Sequence, residues 1–154
     1  MFKSQISTIL RLDAHSRNYF QGVFAIDELS KQLKQPGAGA AYVVNYDERD
    51  QPGSHWVGVF RDDQGHVDFF DSVGLPPLDD RITRYVLGPN YSFNPNQYQQ
   101  LSGNACGFYV VYFILQRSRH CTANDILEYL DRVNSDYIVK DYIYSRFKPI
   151  LIRS

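Results

Sequence analysis

Gln100-Leu101-Ser102-Gly103-Asn104-Ala105-Cys106-Gly107-Phe108-Tyr109-Val110-Val111 joins a polar, glycine-containing loop to an unbroken apolar run that continues to Leu115. Periodicity alone does not separate a core strand from a buried helix in such a run. Its continuation through Gln116 and Arg117, after a Ser-Gly-Asn turn, favours a helix buried on most sides. Cys106 then stands in the first helical turn, where unpaired backbone N–H groups and the positive end of the helix dipole stabilise a thiolate. The competing reading is a buried structural cysteine. What separates the two lies upstream.

Three strands are expected there in close succession: Ala41 to Tyr46, His55 to Arg61, and His66 to Asp71. The last two are joined by Asp63-Gln64-Gly65, which fits a three-residue hairpin loop ending in a left-handed glycine. That loop pairs residues whose numbers sum to about 128, which sets His55 opposite Val73 and makes Asp71 its diagonal neighbour on one face. The face reads His55, Val57, Val59 on one strand and Val67, Phe69, Asp71 on the other. It is apolar except at one end, where an imidazole and a carboxylate meet. A slip of one residue would send Asp71 to the other face. A base and its orienting acid are the chemistry such a pair offers.

Around this centre the chain is ordinary. Its 154 residues suit a single domain, 1–154, and 44% hydrophobic with 21% charged residues is a globular composition. Twelve Tyr and ten Phe point to a core filled with rings. A formal charge of −1 gives no basis for nonspecific nucleic-acid binding. Two cysteines, Cys106 and Cys121, make no disulfide framework, so a reducing, intracellular compartment is expected. No stretch reaches the ~18 apolar residues of a membrane span. A helix is expected within Ser4 to Tyr19, and another, capped by Asp27, over Glu28 to Leu33. Pro36-Gly37 and Pro52-Gly53 read as loops. Asp79 to Leu87 reads as a helix, and Tyr91 to Gln100, with Pro95, as an edge strand at best. Thr122-Ala123-Asn124-Asp125 is a helix-start box, and Ser135-Asp136 opens a last helix that Pro149 stops. Strands in the middle with helices at both ends indicate an α+β fold built on a small, mainly antiparallel sheet.

His55, Asp71 and Cys106, in that chain order, are the residue types of a thiol protease triad. Gln100, six residues before Cys106, adds a side-chain amide able to donate to an oxyanion. His55-Trp56, Phe70-Asp71-Ser72-Val73-Gly74 and Gln100 through Asn104-Ala105-Cys106-Gly107-Phe108 together resemble the motif series of the adenovirus maturation protease family (adenain) and of the related SUMO-deconjugating Ulp/SENP proteases. Phe20-Gln21-Gly22-Val23-Phe24 also resembles the N-terminal region of the viral members, so the likeness extends over about residues 20 to 117. The resemblance implies His55 as general base, Asp71 as its orienting acid, Cys106 as nucleophile, and Gln100 with the Cys106 N–H as oxyanion donors. Trp56 would shield the site and shape a substrate groove. The small size points to the viral branch, with virophages and Maverick/Polinton-type elements.

The implied substrates are polypeptides: virion precursor proteins cut at Gly-containing sites, or ubiquitin-like modifiers if the chain is an isopeptidase. The adenovirus enzyme is strongly basic and uses DNA and a cross-linked peptide. This chain is near neutral and has no cysteine before Cys106, so neither cofactor carries over, and a monomer without cofactor or metal is expected. The interval from Asp71 to Cys106 is shorter than in those relatives. Among other residues, alternation turns His66 and Asp68 away from His55 and Asp71. Gln97 and Gln99 compete with Gln100. Cys121, next to His120, lacks the spacing of a zinc site and reads as a partly buried thiol.

Overall fold

The computed structural model describes residues 1–33, 39–51, 54–100 and 104–152. The expected Pro36-Gly37 and Pro52-Gly53 loops and the Ser102-Gly103 turn lie outside the described residues. In chain order the elements are α1 (Lys3–Leu12), β1 (Phe20–Ala25), β2 (Ala40–Asn45), β3 (Trp56–Arg61), β4 (Val67–Phe70), the short α2 (Asp80–Ile82), β5 (Ser92–Phe93), α3 (Cys106–Ser118), α4 (Ala123–Val133) and α5 (Asp136–Ile152). The fold is α+β. Its one five-stranded sheet runs in the order β1-β2-β3-β4-β5. The central pairs, β2 with β3 and β3 with β4, are antiparallel, whereas each outer strand lies parallel to its neighbour. The sheet is therefore mixed, antiparallel at its centre and parallel at both edges.

The β3–β4 register is the one the loop dictates: Gly58 faces Phe70 and Arg61 faces Val67. Gly65 closes that hairpin at φ +90, with its N–H on the Asp62 carbonyl at 3.1 Å. Both faces of β2 and β3 are covered. Tyr42, Val44, Val57, Val59 and Phe69 pack with Ile82 and Val86 on one side. Ala41, Val43, Phe60 and Phe70 pack with α1, α3, α4 and α5 on the other. There Phe113 of α3 stacks on Phe70 with ring centroids 4.6 Å apart. Every residue of α3 except Gln116 is buried, which is what a helix with no polar face requires.

The far end of α3 is pinned by charge. Arg117 pairs with Asp68 at 3.2 Å and Asp62 at 3.3 Å, lies over the Phe60 ring, and so ties the helix to the β3–β4 hairpin. A cation in the last turn also suits the helix dipole. Of two expected helices, one is shorter than read and the other keeps its span but changes its winding. Glu28 to Leu33 forms only two tight turns, Ile26–Glu28 and Lys31–Leu33, because the segment places few apolar residues at helical spacing. Asp79 does cap α2, but the chain widens at once into a π-turn over Thr83–Leu87. α5 runs past Pro149, with a backbone break at Phe147 two residues before it.

Thr122 caps α4 by accepting from the Asp125 N–H at 3.1 Å. Thr122→Ala should therefore lower stability by about 1 kcal/mol, read as a shift of the urea midpoint at unchanged m value.

Candidate active site

Three elements meet at one end of the central strands: His55 immediately precedes β3, Asp71 follows β4, and Cys106 opens α3. The hairpin register makes His55 and Asp71 diagonal neighbours, and the His55 Nε2 lies 2.7 Å from Asp71 Oδ1. With Nε2 so engaged, Nδ1 is the ring nitrogen left to face the Cys106 thiol, which helps to raise the imidazole. The side chain of His55 is 23% exposed and that of Asp71 only 1%. Solvent reaches the imidazole but not the carboxylate behind it.

Asp71 is anchored on several sides. Its Oδ1 also accepts from the Val73 N–H at 2.9 Å. The Asn94 side chain brackets its main chain, Oδ1 accepting from the Asp71 N–H at 3.0 Å and Nδ2 donating to its carbonyl at 2.5 Å. Asn94 thus makes the two bonds that a neighbouring strand would make. The chain then turns at Gly74, φ +83, where a side chain would lie 2.7 Å from the Asn96 carbonyl. Only glycine meets both demands. Tyr46 stacks parallel to the His55 ring at 6.1 Å and limits how the imidazole can swing.

Cys106 is 7% exposed. Burial by itself would push its thiol up. The hydrogen bond and charge of His55 and the N–H groups of Trp56 and Gly107 more than offset this, and its pKa falls below the ordinary thiol value. For His55 burial acts downward, but Asp71 and the Cys106 sulfur outweigh it and raise the imidazole to about 9. The two shifts have opposite signs and a common cause: a thiolate and an imidazolium that stabilise each other. With the thiol lowered and the imidazole raised to about 9, a single proton shared between them rests on the imidazole.

Gln100 stands exposed on the connection between β5 and α3, just before residues outside the described set. Its rivals are used otherwise. Gln99 is buried and its Oε1 accepts from the Ser72 hydroxyl, while Gln97 Nε2 donates to the Gln99 carbonyl. The N–H groups of Tyr98 and Gln99 both donate to the Ser72 carbonyl. The loop carrying Gln100 is thereby tied to the residue after Asp71. Trp56 is buried, and its indole lies against Gly107, where a β-carbon would sit 3.3 Å from Trp56 Cδ1. His66 is exposed and bonded to Asp62, and Asp68 is committed to Arg117. Cys121 is half-buried at the junction of α3 and α4. Among the described residues no cluster of His, Cys, Asp or Glu is placed to hold a metal ion, and no helix is long and apolar enough to cross a membrane. Sequence reading missed Asn94, Gln99 and Tyr46. Their roles depend on contacts distant along the chain, and only the cluster of amides at Asn94 to Gln100 hints at them.

No family model matches the chain. A protein of Acanthamoeba polyphaga mimivirus, named as a candidate thiol protease, is 34% identical over 88 residues, covering 49% of this chain and 29% of that protein. Among solved structures, an ASFV protease superimposes with a TM-score of 0.56 at 17% identity, over 81% of this chain and 60% of the other. The SUMO protease Ulp1 aligns more loosely, with a TM-score of 0.38 at 19% identity over 67% of this chain and 53% of that one. The chain spans less than two thirds of each. Its fold is that of the viral protease.

Two outcomes follow from the geometry. The pH profile of Cys106 alkylation by iodoacetamide should lie below that of an ordinary thiol, and His55→Ala should move it to alkaline pH and slow the reaction at pH 7, about tenfold for each unit of pKa lost. Asn94→Ala leaves two buried main-chain groups of Asp71 unpaired, so stability measured in urea should fall by about 2 kcal/mol, with slower alkylation at pH 7.

Proposed function

We propose that this chain is a cysteine endopeptidase that cleaves viral precursor polypeptides, at sites containing glycine. The observation that carries the reading is the buried Cys106 thiol held with the His55 imidazole, which is in turn oriented by Asp71. The fold shared with a viral protease and the partial identity to a mimivirus protein support it.

In this reading the Cys106 thiolate attacks the scissile carbonyl carbon. The oxyanion that forms is held by the Cys106 N–H and the Gln100 side-chain amide. As the tetrahedral species collapses, the C–N bond breaks and the His55 imidazolium passes its proton to the leaving amine. A thioester remains. Water then attacks it, His55 takes the water's proton, the free acid departs, and the thiolate–imidazolium pair is restored. Asp71 keeps the ring oriented through Nε2 and stabilises its positive charge. Trp56 excludes water from the sulfur. The exposure of Gln100 suits a donor that completes its alignment only when substrate is present.

Candidate virion precursor polyproteins incubated with wild type should acquire new termini, mapped by mass spectrometry, that Cys106→Ala does not generate. Gln100→Ala should lower kcat by about 10²–10³ with little change in KM. The alkaline limb of activity should fall near pH 9, where His55 loses the proton it gives to the amine. Turnover of SUMO- or ubiquitin-fluorophore conjugates, with no new termini in the precursors, would replace this reading by an isopeptidase.

A further inference from the structure

From Val73 to Leu78 the chain carries no polar side chain: Val73-Gly74-Leu75-Pro76-Pro77-Leu78. Leu75 is 44% and Leu78 63% exposed, and Pro76 between them is exposed too. One leucine in water is ordinary, but two with a proline in a run of four residues make an apolar patch. The prolines lock their own φ and restrict the residue before each, so little conformational freedom is lost when something covers the patch. Both ends of the loop are tied to His55. At its start Asp71 Oδ1 meets the imidazole and accepts from the Val73 N–H. At its end the Leu78 N–H donates to the Tyr46 hydroxyl at 3.2 Å, and the Tyr46 ring lies parallel to the imidazole, 6.1 Å away.

What covers the patch follows from where the proton goes. In the protease reading His55 protonates the leaving amine as the C–N bond breaks, so the nitrogen of the scissile bond must lie beside the imidazole. The residues after that nitrogen then leave the site past His55, where the loop is tethered. An extended chain advances about 3.3 Å per residue, so the first three residues span about 10 Å. That is enough to clear the imidazole and the Tyr46 ring stacked on it. We propose that Leu75 and Leu78 bind the leaving half of the polypeptide substrate and select an apolar side chain among the first three residues after the scissile bond. The proposal rests on the protease reading above and adds to it which side of the substrate is read. Asp79, next in the chain, is already paired with Arg81 at 2.9 Å, so no free charge beside the leucines favours a polar residue. Leu75 and Leu78 are then specificity-determining residues that act by burying apolar surface, away from the sulfur.

The test uses the full chain and a library of peptides from a digested cell extract, with cuts mapped by mass spectrometry and Cys106→Ala as the blank. Residue frequencies on each side of the cut are normalised to the library. Wild type should enrich Leu, Ile, Val, Met or Phe at least about threefold at one of the first three positions after the cut. Leu75→Ser with Leu78→Ser should return that enrichment to background and leave the preferences before the cut unchanged. Two peptides sharing one acyl half, with leucine or serine at the enriched position, then give the size of the effect. kcat/KM should favour leucine about tenfold in wild type, the order of one buried leucine side chain, and be nearly equal for the two in the variant. No enrichment in wild type, enrichment that survives both substitutions, or a loss shared by both sides of the cut overturns the proposal. In the second case, a dimer in sedimentation that the same substitutions dissociate assigns the patch to a second copy of the chain. If the double variant fails to fold, the single substitutions replace it, and each must weaken the enrichment. No new termini from wild type beyond those with Cys106→Ala would instead remove the protease reading beneath it.

Discussion

A helix without a polar face has only one place to go, and α3 occupies it. From Phe108 to Leu115 it has no side chain that water would hold, so the sheet, α1, α4 and α5 close around it. That burial fixes the axis of the helix, and Arg117 fixes its position along the axis by pairing with Asp62 and Asp68. Its N-terminus is then set at the end of the sheet where β3 begins and β4 finishes. The placement of Cys106 is a consequence of packing some distance away from the sulfur.

The chemistry there is decided by a balance between burial and pairing. Desolvation acts against both charges, raising the thiol and lowering the imidazole. Each is overturned because the other charge is present, together with two backbone N–H groups at the sulfur and a carboxylate behind the ring. Asp71 is held by its Oδ1 and its main chain, through His55, Val73 and Asn94, while its Oδ2 is buried with no hydrogen-bond partner among the described residues. The same segment holds the loop before α3 through Ser72. One stretch of four residues, Asp71 to Gly74, therefore orients the imidazole and anchors the approach to the cysteine.

How much of this was legible beforehand differs from element to element. The β3–β4 register could be read because a three-residue loop ending in glycine allows one pairing, and that pairing brought His55 to Asp71. The Thr122 box and the all-apolar run at Phe108 were equally local signals. The parallel edges were not legible, since β1 meets β2 across a connection of fourteen residues and β5 meets β4 across one of twenty-one, with nothing in either strand to declare its direction. Nor was Glu28 to Leu33, where a good cap precedes a segment with too little apolar surface to hold a helix.

The sequence by itself determined the constellation: His55, Asp71, Cys106 and Gln100 in order, a hairpin that joins the first two, and a helix that had to be buried. These are statements about residue type and short-range geometry, which a chain carries in its local pattern. Only the tertiary structure decided that burial and pairing together lower the thiol and raise the imidazole, and that Asn94 serves Asp71 as a substitute strand. Those depend on burial and on contacts between distant segments, and desolvation has no value until the chain has closed around the group it acts upon.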